Sequence, residues 1–95
     1  NYVKIYNGHW LTNTRHYGII HRFVIDNNHK GNGYAKKLLD YAVNICKQSG
    51  TPSIRLDIDK NNKPMKEFIL KNGFKHCGTI RLKNNEEREA YERLI

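Results

Sequence analysis

Residues 19–39 read IIHRFVIDNNHKGNGYAKKLL, and three physical regimes follow one another along them. Residues 19–25 put Ile19, His21, Phe23 and Ile25 on one face of a strand and Ile20, Arg22 and Val24 on the other. Both faces are largely apolar, as in a strand covered on both sides. Asp26 to Asn28 make a polar turn. The run Lys30-Gly31-Asn32-Gly33-Tyr34-Ala35 then opens a helix. The first amides of a helix have no partner inside it, and the helix dipole adds partial positive charge there. Gly31 and Gly33 let backbone N–H groups crowd an anion with no Cβ in the way, and Lys30, Lys36 and Lys37 add full charges. A strand that empties through glycines into a helix start is chemistry for a phosphate.

The surrounding sequence completes a strand–helix–strand unit. Over residues 33–49, Leu38, Leu39, Ala42, Val43, Ile45 and Cys46 recur at helical spacing, with Lys36, Lys37, Asp40, Asn44, Lys47 and Gln48 opposite. Gly50 ends that helix. Residues 53–58 alternate apolar and polar as a strand, so the crossover predicts two parallel strands. Residues 59–63 form a turn. Pro64 fits the first position of a short helix over 64–72, closed by Gly73. Phe74 leads into a strand over 75–82, and Asn84-Asn85 turns the chain into residues 87–95. That last segment has spacing that allows a helix as well as a strand.

Upstream, Tyr2-Val3-Lys4-Ile5-Tyr6, then Asn7-Gly8, then His9-Trp10-Leu11 reads as a hairpin, because Asn-Gly between β-prone flanks is a strong turn signal. Its aromatics Tyr2, Tyr6 and Trp10 suit cross-strand packing, or the wall of a substrate site. Residues 12–16 are a polar connection.

Ninety-five residues make a single domain over 1–95, and a chain this short is marginally stable alone. The net charge of +8 suits solubility or a partner rich in phosphates. A nucleic acid is disfavoured, since the basic residues are spread along the chain and follow no recognition motif. Cys46 and Cys77 lie far apart without C-x-x-C spacing; they read as small buried hydrophobes in a reduced, cytoplasmic setting, and no metal site is expected. No apolar run approaches a membrane span, and no signal sequence is visible.

Gly31-x-Gly33-x-x-Lys36 lacks the third small residue of a dinucleotide fingerprint and the spacing of a P-loop. Lys30-Gly31-Asn32-Gly33-Tyr34-Ala35 instead resembles motif A of the GNAT (Gcn5-related) superfamily of N-acetyltransferases, Arg/Gln-x-x-Gly-x-Gly/Ala. Lys30 keeps the cation but loses the planar fork of Arg. Downstream, Asn62-x-x-Met65-x-x-Phe68-Ile69-x-Lys71-x-Gly73-Phe74 is similar to the family's Asn-x-x-Ala-x-x-Leu-Tyr-x-Lys-x-Gly-Phe, with matching spacing. The resemblance covers roughly residues 17–82. It implies an α/β (α+β) fold: a mixed sheet with a central parallel crossover and a C-terminal antiparallel pair, which favours a strand over 87–95. The family carries a strand and two helices ahead of the part seen here, so the domain is expected to be N-terminally incomplete.

The resemblance further implies transfer of an acetyl group from acetyl-CoA to a primary amine by direct attack. The pyrophosphate would lie on Lys30, Gly31, Asn32, Gly33, Tyr34, Ala35 and Lys36. The pantetheine arm would bond to the backbone of Phe23, Val24 and Ile25 as an added strand, with Asn62 holding it from the other side. Asn62 also reads as a plain turn residue. His21 stands where some family members have a proton-removing His, and reads either as general base or as a hydrogen-bonded core histidine. Ile69 replaces the family's usual Tyr and cannot donate a proton. That leaves Tyr91 or Tyr34 as the acid, or departure of the thiolate without a dedicated donor. Two other functions stay open: a catalytically weak acyl-CoA-binding or regulatory module, and a basic nucleic-acid-binding domain. The acceptor amine is not specified, and an unpaired sheet edge leaves a homodimer open.

Overall fold

A computed structural model describes residues 5–12, 17–20 and 33–95. The elements are β1 (Gly18–Ile20), α1 (Tyr34–Ser49), β2 (Ser53–Ile58), α2 (Lys63–Lys71), β3 (Lys75–Arg81) and β4 (Glu87–Leu94). They form one mixed sheet in the order β1-β2-β4-β3. β1 and β2 run parallel, with Gly18 opposite Ile54 and Ile20 opposite Leu56, as a helical crossover requires. The expected antiparallel pair is present: Lys75 to Arg81 of β3 lie against Glu87 to Glu92 of β4. β4 also pairs antiparallel with β2, from Ser53 opposite Leu94 to Ile58 opposite Glu89. The last strand therefore inserts between β2 and β3.

Both helices end in the same way. Past α1, Thr51 N–H donates to the Cys46 carbonyl at 2.9 Å, with Gly50 in the left-handed region at φ 72°. Past α2, Phe74 N–H donates to the Ile69 carbonyl at 3.1 Å and Gly73 N–H to Leu70 at 3.4 Å, with Gly73 at φ 88°. These are Schellman closures, and glycine supplies the positive φ without a Cβ penalty. The second closure brings Phe74 onto Ile69, both in the core. α2 starts and stops one residue earlier than the proline suggested: Asn62 caps it, so Pro64 falls within the first turn, where its missing N–H has no partner to lose.

The main core lies between the helices and one face of the sheet. Leu39, Val43 and Cys46 of α1 and Met65 and Ile69 of α2 meet Ile54, Leu56 and Ile58 of β2, with Phe74 and Tyr91. Leu38 and Ile45, read from the sequence as part of this face, are exposed; Ala35 is buried instead. The six apolar positions spread wider than the stripe one sheet can cover. A second, smaller core of Ile5, Cys77, Ile80 and Ala90, with Trp10 packed against it, lies on the opposite face.

Residues 5–12 form no strand, which corrects the expected hairpin turn at Asn7-Gly8. The segment instead crosses β3, where Tyr6 N–H donates to the Thr79 carbonyl at 2.8 Å. The crossing point is a β-bulge: the pairing with β4 shifts between His76 and Gly78. A Cβ on Gly8 would overlap the Cys77 carbonyl, and one on Gly78 would overlap the Asn7 carbonyl. The Asn-Gly signal thus marks a backbone contact made by two glycines rather than a two-residue turn.

Candidate functional site

Gly33 precedes α1 in the left-handed region, with φ 77° and ψ 8°, and its carbonyl accepts the Lys37 N–H at 3.0 Å. A non-glycine residue would be strained in this conformation. A Cβ at Gly33 would meet nothing within 4 Å, so the space beside the loop is open. No side chain caps this end of α1, and its first turn holds no acid. Gly33 thus offers the start of α1 no side-chain acceptor, the kind of helix start at which an anion can bind. Ala35 is buried and ties this turn to the core, while Tyr34 is half-exposed.

Lys36 Nζ lies 3.1 Å from Asp40, one turn further along the exposed side of the helix. Among the described residues Lys37, beside it, makes no ion pair. His21, Phe23, Val24, Ile25, Lys30, Gly31 and Asn32, the remaining sequence candidates around the thioester and the phosphates, lie outside the described residues.

Asn62 sits at the other helix start. Its Oδ1 accepts the Met65 N–H at 3.3 Å, so the side chain caps α2. Ahead of it, Asp59 Oδ1 accepts the Asn61 N–H at 2.8 Å and holds the turn. α2 also has no acid in its first turn, and Lys60, Lys63 and Lys66 surround it. Neither helix carries an acid in its first turn.

Tyr91 lies in the main core, 1% exposed, opposite His76 with ring centroids 5.0 Å apart. Burial, and the nearby charge of Glu89, push its hydroxyl pKa up. It is held protonated at a packing position; a proton donor has to reach its acceptor. Ile69 is 1% exposed in the same core. Both thiols are buried, and burial raises their pKa values, which leaves them protonated and poorly nucleophilic.

Sequence reading missed a buried ionic centre on the opposite face. Glu92, 0% exposed, accepts from Ser53 Oγ at 2.6 Å, Thr12 Oγ1 at 2.6 Å, Leu11 N–H at 2.7 Å and Arg55 Nε at 3.1 Å. Arg55 donates on to the Thr12 carbonyl at 2.8 Å, and its guanidinium stacks between Trp10 (4.4 Å) and Tyr17 (3.9 Å). The alternation of residues 53–58 disguised it, since Arg55 looks like the polar, solvent side of a half-buried strand. Among the described residues, no group of His, Cys, Asp or Glu is arranged to hold a metal ion. No helix among them is long and apolar enough to cross a membrane.

A family model described as Acetyltransferase (GNAT) family matches residues 2–74 of the chain. The chain belongs to the GNAT acetyltransferase family. A solved GNAT-family acetyltransferase from Streptococcus agalactiae is 30% identical, with 96% of this chain covering 50% of that one at a TM-score of 0.78. Ard1 from Thermoplasma volcanium shares the fold at 20% identity, with 81% and 53% of the two chains covered and a TM-score of 0.73. So does Arabidopsis thaliana Naa50, solved in complex with the bisubstrate analogue CoA-Ac-MVNAL, at 20% identity, coverage of 79% and 52% and a TM-score of 0.68. This GNAT chain spans about half the length of the solved structures it matches. No curated protein matches it.

Proposed function

We infer that this GNAT chain is an acetyl-CoA-dependent N-acetyltransferase acting on a primary amine. The observation that carries the reading is Gly33: a glycine in the left-handed region at the start of α1, with open space where a side chain would stand and no acid in the following turn. Glycine takes this conformation without a Cβ penalty and leaves room for the backbone itself to approach a ligand. Family membership and the CoA analogue carried by Naa50 support the same ligand.

In this reading Gly31, Asn32, Gly33, Tyr34 and Ala35 hold the pyrophosphate with backbone N–H groups, and Lys30 and Lys36 add charge. The backbone of Phe23, Val24 and Ile25 holds the pantetheine arm, with Asn62 facing it. Acetyl-CoA supplies an acyl thioester. An alkylamine titrates near about pKa 10 and is protonated at neutral pH, so a base has to take its proton before the lone pair can attack. His21, with an ordinary pKa of about 6.5, is suited to that step. A backbone N–H at Val24 or Ile25 donates to the charge that develops on the thioester oxygen. With Ile69 buried and Tyr91 in the core, the thiolate leaves without a dedicated donor; a thiol of pKa about 8.5 is a fair leaving group. Holding the two reactants together is the other large contribution.

Calorimetric titration with acetyl-CoA tests the site, alongside the Gly33→Glu variant. Micromolar binding that the variant abolishes supports it; binding that survives the variant puts the phosphates elsewhere. Turnover in an amine screen then separates an enzyme from a CoA-binding module, a reading that the missing Tyr at position 69 keeps in play.

A further inference from the structure

Arg55 reaches separate stretches of chain at once. Its Nε donates to Glu92 Oε2 on β4 at 3.1 Å. Its Nη2 donates to the Thr12 carbonyl at 2.8 Å and to Thr12 Oγ1 at 3.1 Å. The guanidinium lies 4.4 Å from the ring centroid of Trp10 and 3.9 Å from that of Tyr17. Tyr17 is the residue before β1, and within β1 Ile19 is paired opposite Arg55 itself. β1 is three residues long, against a usual strand of about five or six, so its ladder alone fixes it weakly. The stack on Tyr17 is a second hold on the same strand.

A buried ion pair is a poor way to gain stability. Apolar side chains of similar volume are often as stable, whereas paired charges with fixed hydrogen-bond directions select one arrangement. Arginine adds what lysine lacks: a planar face for two rings, and a fork that reaches Glu92 and Thr12 together. In the sequence β1 runs on into residues 21–25, which the proposed function assigns to the base and the pantetheine arm. We propose that Arg55 is a positioning residue for acetyl transfer: through Tyr17 and Ile19 it sets β1 against β2, and with it the placement of the thioester relative to the amine. This rests on the acetyl-CoA reading. Reactants misplaced by about 1 Å lose on the order of a hundredfold in rate. The start of α1 is tied to the helix side of the sheet by buried Ala35, away from Arg55, so the phosphate contacts stay as they are. The signature is a fall in kcat with acetyl-CoA affinity retained.

The test compares the wild-type chain with Arg55→Lys, which keeps the charge and loses the planar face, and with the double change Arg55→Met and Glu92→Leu, which leaves no charge unpaired. Amide hydrogen exchange should quicken at Gly18–Ile20 in both and stay as it was in β3. Calorimetry should give wild-type affinity for acetyl-CoA. In the amine screen kcat should fall about tenfold or more, at a temperature where circular dichroism shows every variant folded. Ile80→Val, which trims the second core on the same face, should leave kcat unchanged. Full kcat in the double variant, an equal loss in Ile80→Val, or exchange at Gly18–Ile20 that does not move would each overturn the proposal. So would a wild-type chain that binds acetyl-CoA and acetylates no amine. A wild-type chain that binds no acetyl-CoA would overturn the reading underneath, and exchange at β1 would still show whether Arg55 holds that strand.

Discussion

Arg55 and Glu92 face each other across β2 and β4, with Nε 3.1 Å from Oε2 and side chains 6% and 0% exposed. Two charges taken out of water are costly unless every lone pair and proton finds a partner. Here Ser53, Thr12 and the Leu11 amide complete the carboxylate, and Trp10 and Tyr17 cover the guanidinium. The pair thereby fastens residues 10–12 and the entry to β1 onto a face of the sheet that has only a small apolar core of its own. Removing one partner should be worse than removing both. Glu92→Ala is expected to cost about 3–5 kcal/mol by leaving Arg55 buried and unpaired. The double change Arg55→Met with Glu92→Leu should cost clearly less than the sum of the single changes, as read by urea unfolding.

Acid should find the same group. Burial on its own would raise the Glu92 pKa, but hydrogen bonds from Ser53, Thr12, Arg55 and Leu11 outweigh it and hold the carboxyl below its ordinary value of 4.5. The unfolded chain then binds the proton more readily than the folded one. Stability from this group is present above the unfolded pKa and is lost as pH falls through the folded one. Unfolding free energy measured from neutral pH downwards should drop through this window in the wild type and drop less steeply in Glu92→Gln. Equal slopes would show that Glu92 is not the titrating group.

Gly33 and Gly78 both have positive φ but differ in what surrounds them. A Cβ at Gly78 would overlap the Asn7 carbonyl, whereas one at Gly33 meets open space. Gly78→Ala should displace residues 5–8 and cost more than about 1 kcal/mol, chiefly by backbone clash. Gly33→Ala should cost no more than the 1–2 kcal/mol or so of left-handed strain, yet weaken acetyl-CoA binding. Thermal melts alone and with acetyl-CoA separate the two effects.

Ile69→Tyr places a hydroxyl where the GNAT pattern has one, in a side chain that is 1% exposed between α2 and the sheet. Overpacking should destabilise the fold by about 1–3 kcal/mol, and turnover should not rise. A gain in turnover at undiminished stability would show that position 69 reaches the thioester.

Local signals carried most of the architecture. Helical spacing and Gly50 bounded α1, alternation found β2, Gly73 with Phe74 closed α2, and the crossover rule made β1 and β2 parallel. The resemblance chose a strand for residues 87–95, where spacing alone left a helix open. Asn7-Gly8 misled because the same dipeptide suits any place that needs positive φ, and here the need comes from β3, far away in sequence.

By itself, then, the sequence determined α1, β2, α2 and β3, their order, the parallel crossover and the glycine-rich start of α1, since each depends on patterns within a short stretch of chain. Only the tertiary structure decided the rest. It seated β4 between β2 and β3, turned Arg55 from an apparent surface residue into the middle of a buried network, sent Lys36 to Asp40, and left Leu38 and Ile45 of α1 exposed. All of these depend on which faces meet across the sheet. A burial pattern of period 2 or 3.6 shows that a face is apolar, or that it alternates, and does not show what comes to cover it.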